Sequence, residues 1–447
     1  MSPTMMAIIM IVVVIAFILW NKVPMNFVFF VVPFVCALAL GYTLTETSNA
    51  ILDQIATVMK SAGWMLLFGL VYFTMLTETG MFDTIIGKFV GLVGNKMNVV
   101  VVMAMTTIIG AVAYLTANMS TTYLITFPIM LPMFKKFKMD QRIAFILCQT
   151  AISAMCWLPW GIGLVNSAMM AGVSAEELCS ASIPWGLCFI PAIILQWVYF
   201  AFDHKKKHGT LGLPQDAVEV AAEEKKTEVK ENARPQLFWF NFVVFVCVVV
   251  ALAYFKVPSY IVFIAACIVT AMVNYPKDFG KIWNKAGLTF FNVLVMLIAI
   301  CFYLAVFNMS RVDPDTSEVL QMSMVNALAG SLTSVFPAFL MKYMFLIFLL
   351  LVVPIIHFVP YQVYNAMYPL FISVGATFGM GSMAIIAPFV CNLGLATSVT
   401  PMNSATYVGC TLCEIDVDNY TVWGGVIMFF TNLVVILVAA LTGVLAL

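Results

Sequence analysis

Uncharged apolar runs long enough to cross a bilayer recur along almost the whole chain, and they leave it few ways to fold. Residues 5–20 (MMAIIMIVVVIAFILW), 237–255 (LFWFNFVVFVCVVVALAYF) and 343–356 (YMFLIFLLLVVPII) approach or reach the roughly 20 apolar residues that span a hydrocarbon core as helix. Lipid offers no partner to a backbone N–H or C=O, so such runs satisfy themselves as helices. The chain is 63% apolar and 9% charged, against about 25% charged in soluble domains, and its mean hydropathy is +1.04. The expected fold class is therefore an all-α polytopic membrane protein. Lys plus Arg and Asp plus Glu balance at 21 each, which gives no reason to expect a nucleic-acid partner. The first run has no basic residue before it and a second run follows closely, so a cleaved signal peptide is not expected.

The eleven cysteines sit singly in apolar segments, as at Cys148, Cys156, Cys301 and Cys391, and Cys410 with Cys413 has no second pair or nearby His. They read as small packing residues, with no metal and no other cofactor expected. Neither GxxxxGK[ST] nor HExxH nor GxSxG occurs. That argues against a primary pump or a membrane hydrolase, and hence against an enzyme.

Residues 203–236 form the one long polar stretch, with seven basic and seven acidic residues. They read as a solvated linker between a first membrane half, 1–202, and a second, 237–447. The order of elements repeats in the two halves: two spans, a third span with an amphipathic flank, another span, a Pro-punctuated segment and an interrupted helix. At one constant offset Tyr123, Pro128, Phe137 and Met139 match Tyr364, Pro369, Phe378 and Met380, and with a one-residue gap Pro159 meets Pro401. This reads as an internal repeat. With both termini outside and each Pro-punctuated segment returning to its own side, only Lys60, Lys256, Arg311 and Lys342 of the 21 Lys and Arg fall outside. By the positive-inside rule the linker is cytoplasmic and the two hairpins enter from opposite faces, so the repeat is inverted. Each half then holds a re-entrant hairpin and a broken transmembrane helix.

The polar residues of these apolar halves cluster at the hairpins and the breaks. The first hairpin turns at TANMSTTY, which offers Asn118, Ser120, Thr121 and Thr122. Such groups, with the N–H groups of a helix start, can hold a carboxylate without a positive charge. Hydroxyls in membrane helices also serve simply to bond a neighbouring carbonyl. The first interrupted helix carries Pro159, Gly161 and Gly163 as breakers, followed by Asn166 and Ser167. Its counterpart carries Thr400, Pro401, Asn403, Ser404 and Thr406. Backbone broken at membrane depth is tolerated where it lines a cavity or packs in protein. The second hairpin offers Gln362, Tyr364, Asn365 and Tyr368, with tyrosine also a common interface anchor. His357 stands where the first half has Thr116 and reads either as a proton carrier or as a helix-capping residue.

ETGMFDTIIGKFVGLVG, STTYLITFPIMLPMFKKFKM, LPWGIG with AGVSAEEL, and NLGLATSVTPMNSATYVGCTLCEIDV together resemble the citrate-metal:proton symporter (CitMHS) family of the ion transporter superfamily. The resemblance implies a dimeric carrier of small carboxylates in membrane lipid, in which one part of each protomer moves against a fixed scaffold in an elevator-type cycle. It places the substrate between the two hairpin tips and the two breaks, and it implies symport with H⁺ or Na⁺. The family tends to carry acidic residues at the tips, where this chain has Thr116, Asn118, Val359 and Tyr361. Divalent cations prefer carboxylates or several oxygens, so a free carboxylate is expected rather than a metal complex. The alternatives are exchange of organic anions and a membrane receptor that does not transport. The expected location is the plasma membrane.

Overall fold

The computed structural model describes residues 2–20, 22–82, 84–85, 98–212, 233–253, 255, 257–313, 319–359, 361–401 and 403–445. They form an all-α polytopic membrane protein. The first half runs α1 Pro3–Trp20, α2 Met25–Ala39, α3 Leu44–Val58, α4 Trp64–Glu78, α5 Val99–Ala113, α6 Met119–Lys136, α7 Gln141–Ala154, α8 Ile162–Ala171, α9 Ala175–Leu187 and α10 Phe189–His208. The second runs α11 Phe238–Ala253, α12 Ser259–Asn274, α13 Phe279–Asn308, a small antiparallel pair β1 Arg311–Val312 and β2 Val319–Gln321, α14 Met324–Val335, α15 Ala338–Lys342, α16 Met344–Leu350, α17 Val352–Phe358, α18 Tyr361–Ala366, α19 Tyr368–Ala376, α20 Ser382–Thr397, α21 Ser404–Leu412 and α22 Val417–Leu441. Helix α10 runs past the expected start of the linker to His208 and ends on Gly209 in the left-handed conformation. The following turn returns a carbonyl, Leu211, to the N–H of Val99 at the start of α5. Most of the linker, 213–232, lies outside the described residues.

Among the described residues, Val99–Thr116, Ala175–His208, Pro235–Leu252 and Val417–Leu441 are long and apolar enough to cross a membrane. Large apolar side chains such as Phe202, Trp239, Met272, Leu288 and Leu441 stand on the outside. A soluble surface would not leave that much apolar area in contact with water.

The helices group by packing. Helix α13 packs on α2, α3 and α4, and α12 packs on α4 and α11. The second group is centred on two helices, α7 and α20, which cross each other. Every residue of 143–153 in α7 and of 385–397 in α20 is buried. Their close approach depends on Gly394, where a Cβ would lie 2.8 Å from Ser153 Oγ, 3.0 Å from Ser153 Cα and 3.1 Å from Cys156 Sγ. Small residues at crossings let membrane helices gain dispersion contact that lipid otherwise supplies equally to either surface. Amides add directional contacts. Asn392 donates to Asn432 at 2.7 Å, and Asn432 donates on to the Leu349 carbonyl at 3.0 Å.

A charged clamp joins the halves at the end of α2. Arg311 donates to both carboxylate oxygens of Glu46 at 3.0 Å and to the Gly41 carbonyl, and lies over the Tyr42 ring. Thr43 caps α3 and its N–H and hydroxyl also donate to Glu46. Arg311 first, and then Thr43, pull the Glu46 carboxyl down to about 2. A depressed carboxyl contributes stability above its unfolded pKa of about 4.3 and loses it as pH falls toward the folded value. The Tm difference between wild type and Glu46→Gln is therefore expected to stay constant from pH 8 to 5 and to shrink only below about pH 4.5. A difference that closes already between pH 7 and 5 would remove this account of the clamp.

Candidate functional site

The first hairpin is built by α5 and α6, which pack on each other and on α7. A 3-10 turn, Tyr114–Thr116, ends α5, and Ala117 then turns the chain with φ of 55°. A left-handed alanine costs about 1–2 kcal/mol, a strain that persists only where the surroundings fix it. It places Asn118 as the N-cap of α6, accepting from the N–H of Thr121 at 3.0 Å. The Thr122 hydroxyl donates back to the Asn118 carbonyl at 2.9 Å and is buried. Thr122 thus holds the tip, while Ser120 and Thr121 are half-buried at the helix start.

The first break runs from Met155 to Gly161, between α7 and α8. Pro159 lies within it, and Gly161 begins α8 with no side-chain cap. A Cβ at Gly161 would sit 3.0 Å from the Leu158 carbonyl, whereas Gly163 faces open space. Trp160 ties this break to the first hairpin, its indole N–H donating to the Leu115 carbonyl at 3.0 Å. Asn166 is buried one turn further along, and its Oδ1 has no partner.

The second break follows α20. Thr397 ends that helix, and two residues of the sequence-derived site close the chain back onto its carbonyl: Asn403 Nδ2 at 2.7 Å and Thr406 Oγ1 at 3.3 Å. Asn403 also caps α21 by accepting from the N–H of Ala405. His357 ties the second hairpin to this break, Nδ1 lying 3.1 Å from the Val399 carbonyl. A carbonyl only accepts, so Nδ1 carries the proton and Nε2 is left as the basic nitrogen of the neutral ring.

The two halves pack crosswise. The first hairpin's α6 lies on α21 of the second break, and α8 of the first break lies on α18 and α19 of the second hairpin. Met119, the first residue of α6, reaches Thr397 with Sδ to Oγ1 at 3.7 Å. At the other end of the same pair, Lys135 meets Glu414 at 3.0 Å. The starts of α6 and α21 therefore share one locality, and both present backbone donors there. On the opposite crossing, the buried amides Asn166 and Asn365 each leave an Oδ1 without a partner.

The Tyr364 side chain packs within the second hairpin. Its hydroxyl donates to the Phe348 carbonyl at 2.5 Å and its ring packs against Tyr368, Phe371 and Phe389. It shapes the second hairpin from within. The side chains of Gln362 and Ser404 lie outside the described residues. Pro401 is half-buried in the second break.

Sequence reasoning passed over Gln149 and Thr397. The Tyr123 hydroxyl donates to Gln149 Oε1, and Gln149 Nε2 donates to the Gly394 carbonyl at 2.6 Å, with Thr397 Oγ1 at 3.5 Å. This relay joins the first hairpin, α7 and α20 just before the second break. Gln149 is the one amide in the buried run 143–153 of α7, and that was the available signal, since such a group needs a partner.

Three curated relatives match the chain. A protein described as a Mg(2+)/citrate complex secondary transporter, from Bacillus subtilis (strain 168), is 29% identical over 247 residues. That match spans 55% of this chain and 55% of the relative, about half of each. A citrate transporter of the same organism is 26% identical over 332 residues, 74% of this chain and 72% of its own length. The chain is a relative of citrate transporters. An uncharacterized transporter, YraO, from the same organism is 22% identical over 420 residues, covering 92% of both chains. No family model matches. The resemblance to the CitMHS family read from the sequence motifs is borne out by these relatives.

Proposed function

We propose that the chain is a secondary transporter that carries a small carboxylate across the plasma membrane in symport with H⁺ or Na⁺. The observation that carries this reading is the crosswise packing, which gathers the capped start of α6 and the capped start of α21 into one locality. A helix start carries roughly half a positive charge and unpaired N–H groups, so two of them favour an anion without Lys or Arg. Asn118, Asn403 and Thr406 hold the backbone in place, and Ser120 and Thr121 supply donors to the substrate. Asn166 and Asn365 supply amides from the other crossing.

The same packing supports an inverted repeat with the linker and the Lys135–Glu414 pair on the cytoplasmic side and both termini outside. In that orientation, the helices around α7 and α20 move against those around α13, exposing the site alternately in an elevator-type cycle, and the protein works as a homodimer. His357, with Nε2 basic, is the candidate proton carrier. The names of the relatives point to citrate as the first substrate to try, and the neutral tips favour the free anion over its Mg²⁺ complex.

The test is uptake of radiolabelled citrate and smaller carboxylates into proteoliposomes, with and without Mg²⁺, under imposed H⁺ or Na⁺ gradients. Gradient-driven accumulation is expected. It should fall at least about tenfold in Thr121→Ala, which removes a donor worth roughly 1.5 kcal/mol, and further in Asn403→Ala, which uncaps α21 and leaves the Thr397 carbonyl with the Thr406 hydroxyl alone. Accumulation that depends on anion inside the vesicle and ignores both gradients would replace symport by exchange.

A further inference from the structure

We propose that the gap between α9 and α11 is a lipid site, in which one acyl chain of a bilayer phospholipid lies against the first break. The two helices belong to the membrane-crossing stretches Ala175–His208 and Pro235–Leu252. Helix α9 packs on α20 and α8, and α11 packs on α12. Between α9 and α11 stands a cavity of about 670 Å³, within the roughly 300–1,000 Å³ that holds a drug-sized molecule. Trp157, Leu158 and Trp160 of the break, Ile183 of α9, and Val249 and Leu252 of α11 line it. Trp160 stacks on Phe73 at 4.8 Å and meets Phe263 edge-on, so aromatic packing holds that wall in place.

The cavity opens sideways. Ile183 is 38% exposed and Val249 39%, and each continues an outward apolar surface, Ile183 with Leu187 and Ile190, Val249 with Val246 and Val250. Only 17% of the stretch Pro235–Leu252 is buried within the protein, so most of α11 stands in hydrocarbon. What lies beside such a mouth is lipid. An apolar cavity stays dry, and walls without partner atoms forfeit their dispersion contacts, so bilayer hydrocarbon is what fills it. An acyl chain is flexible and unbranched, and it enters from the side without leaving an apolar medium.

Apart from the indoles and Cys179, the polar side chains among the described lining residues are Glu176, Glu177 and Ser180, all exposed and all at the start of α9. They mark the end that meets water, where the ester groups of the lipid lie. From Glu177 to Ile183 the helix rises about 9 Å, and the acyl chain runs from that end past the two indoles. Hydrocarbon is indifferent to the sign of charge there. Asn118, Ser120, Thr121, Asn166, Asn403 and Thr406 do not line this space, so it stands apart from the proposed substrate site. If the chain works by the moving-domain cycle proposed above, on which this clause alone rests, the occupant keeps the break and α11 from locking onto each other.

The test is native mass spectrometry of the full chain, purified in detergent and supplied with dioleoyl phosphatidylethanolamine, phosphatidylglycerol or phosphatidylcholine. It needs no transport and so is decided apart from the transporter reading. Wild type is expected to keep one dioleoyl lipid per chain after loosely held lipid is stripped, with any of the three headgroups, and to keep none of the dihexanoyl analogues. Val249→Trp and Ser180→Trp fill the cavity from opposite walls and should each lower the retained fraction at least about tenfold. Val198→Trp, on the exposed face of α10, should match wild type. Should one filled variant fail to fold, the other decides. No retained lipid, equal retention in a folded filled variant, or retention that follows the headgroup rather than the chain length overturns the proposal.

Discussion

Replacing Gly394 with valine is expected to abolish uptake and to leave little monodisperse protein after extraction. Extra methylenes forced into a packed core cost about 1–3 kcal/mol when side chains can give way. At Gly394 one of the atoms in the way is the Cα of Ser153, 3.0 Å from the position of the new Cβ. Backbone cannot rotate aside, so α7 and α20 must separate, and the relay through Gln149 to the Gly394 carbonyl parts with them. Gly425→Val is the control. It lies on α22, where an added Cβ meets nothing within 4 Å, and it is expected to behave as wild type. Size-exclusion profiles and uptake decide the matter: a Gly394→Val protein that elutes and transports normally would show that the crossing is not close-packed.

Replacing Gln149 with leucine comes next in expected size. The leucine has nearly the same volume, so the effect is one of hydrogen bonding. It strands the buried Tyr123 hydroxyl and removes a donor from the Gly394 carbonyl. A buried group left without a partner costs about 1–3 kcal/mol, and since the Gly394 carbonyl keeps the Thr397 hydroxyl at 2.8 Å, the predicted loss in stability is roughly 1–3 kcal/mol. Tyr123→Phe alone strands only the Gln149 oxygen and should cost less. Because both substitutions break one contact, the double variant should lose less than the two single losses added together. Thermal unfolding in nanodiscs measures all three, and strictly additive losses would dissolve the relay into two unrelated residues.

Much of the fold was legible because a membrane leaves a chain so few options. Runs such as 5–20 and 237–255 had to be helices, and Pro159, Gly161 and Gly163 in the first half and Pro401 in the second marked where helices stop. The places of the candidate site were legible for the same reason. Roles within them were not. Asn403 and Thr406 look like free donors in the sequence, but the break they sit in creates a Thr397 carbonyl that needs them. Tyr364 reads as a pocket residue until the second hairpin folds and brings the Phe348 carbonyl within 2.5 Å. Gln149 and Thr397 went unmarked because each meets its partners across α7 and α20, some 245 residues apart in sequence. Helix α10 runs on through Lys205–Lys207, which the sequence alone reads as part of the polar stretch 203–236, because helices favour basic residues in their last turn.

The crosswise arrangement of hairpins and breaks has a consequence for how this molecule can be made and how it can change. Neither half holds the whole of the proposed site: α6 waits for α21, and α8 waits for α18 and α19. The first half therefore leaves the ribosome with its polar tip uncovered and is completed only when the last two hundred residues arrive. Halves produced as separate chains, cut within 213–232, should find one another in the membrane, while either made alone should be degraded. Over longer times the same interlocking ties their histories together, so that a change in the surface of one hairpin is tolerated only when the opposite break accommodates it.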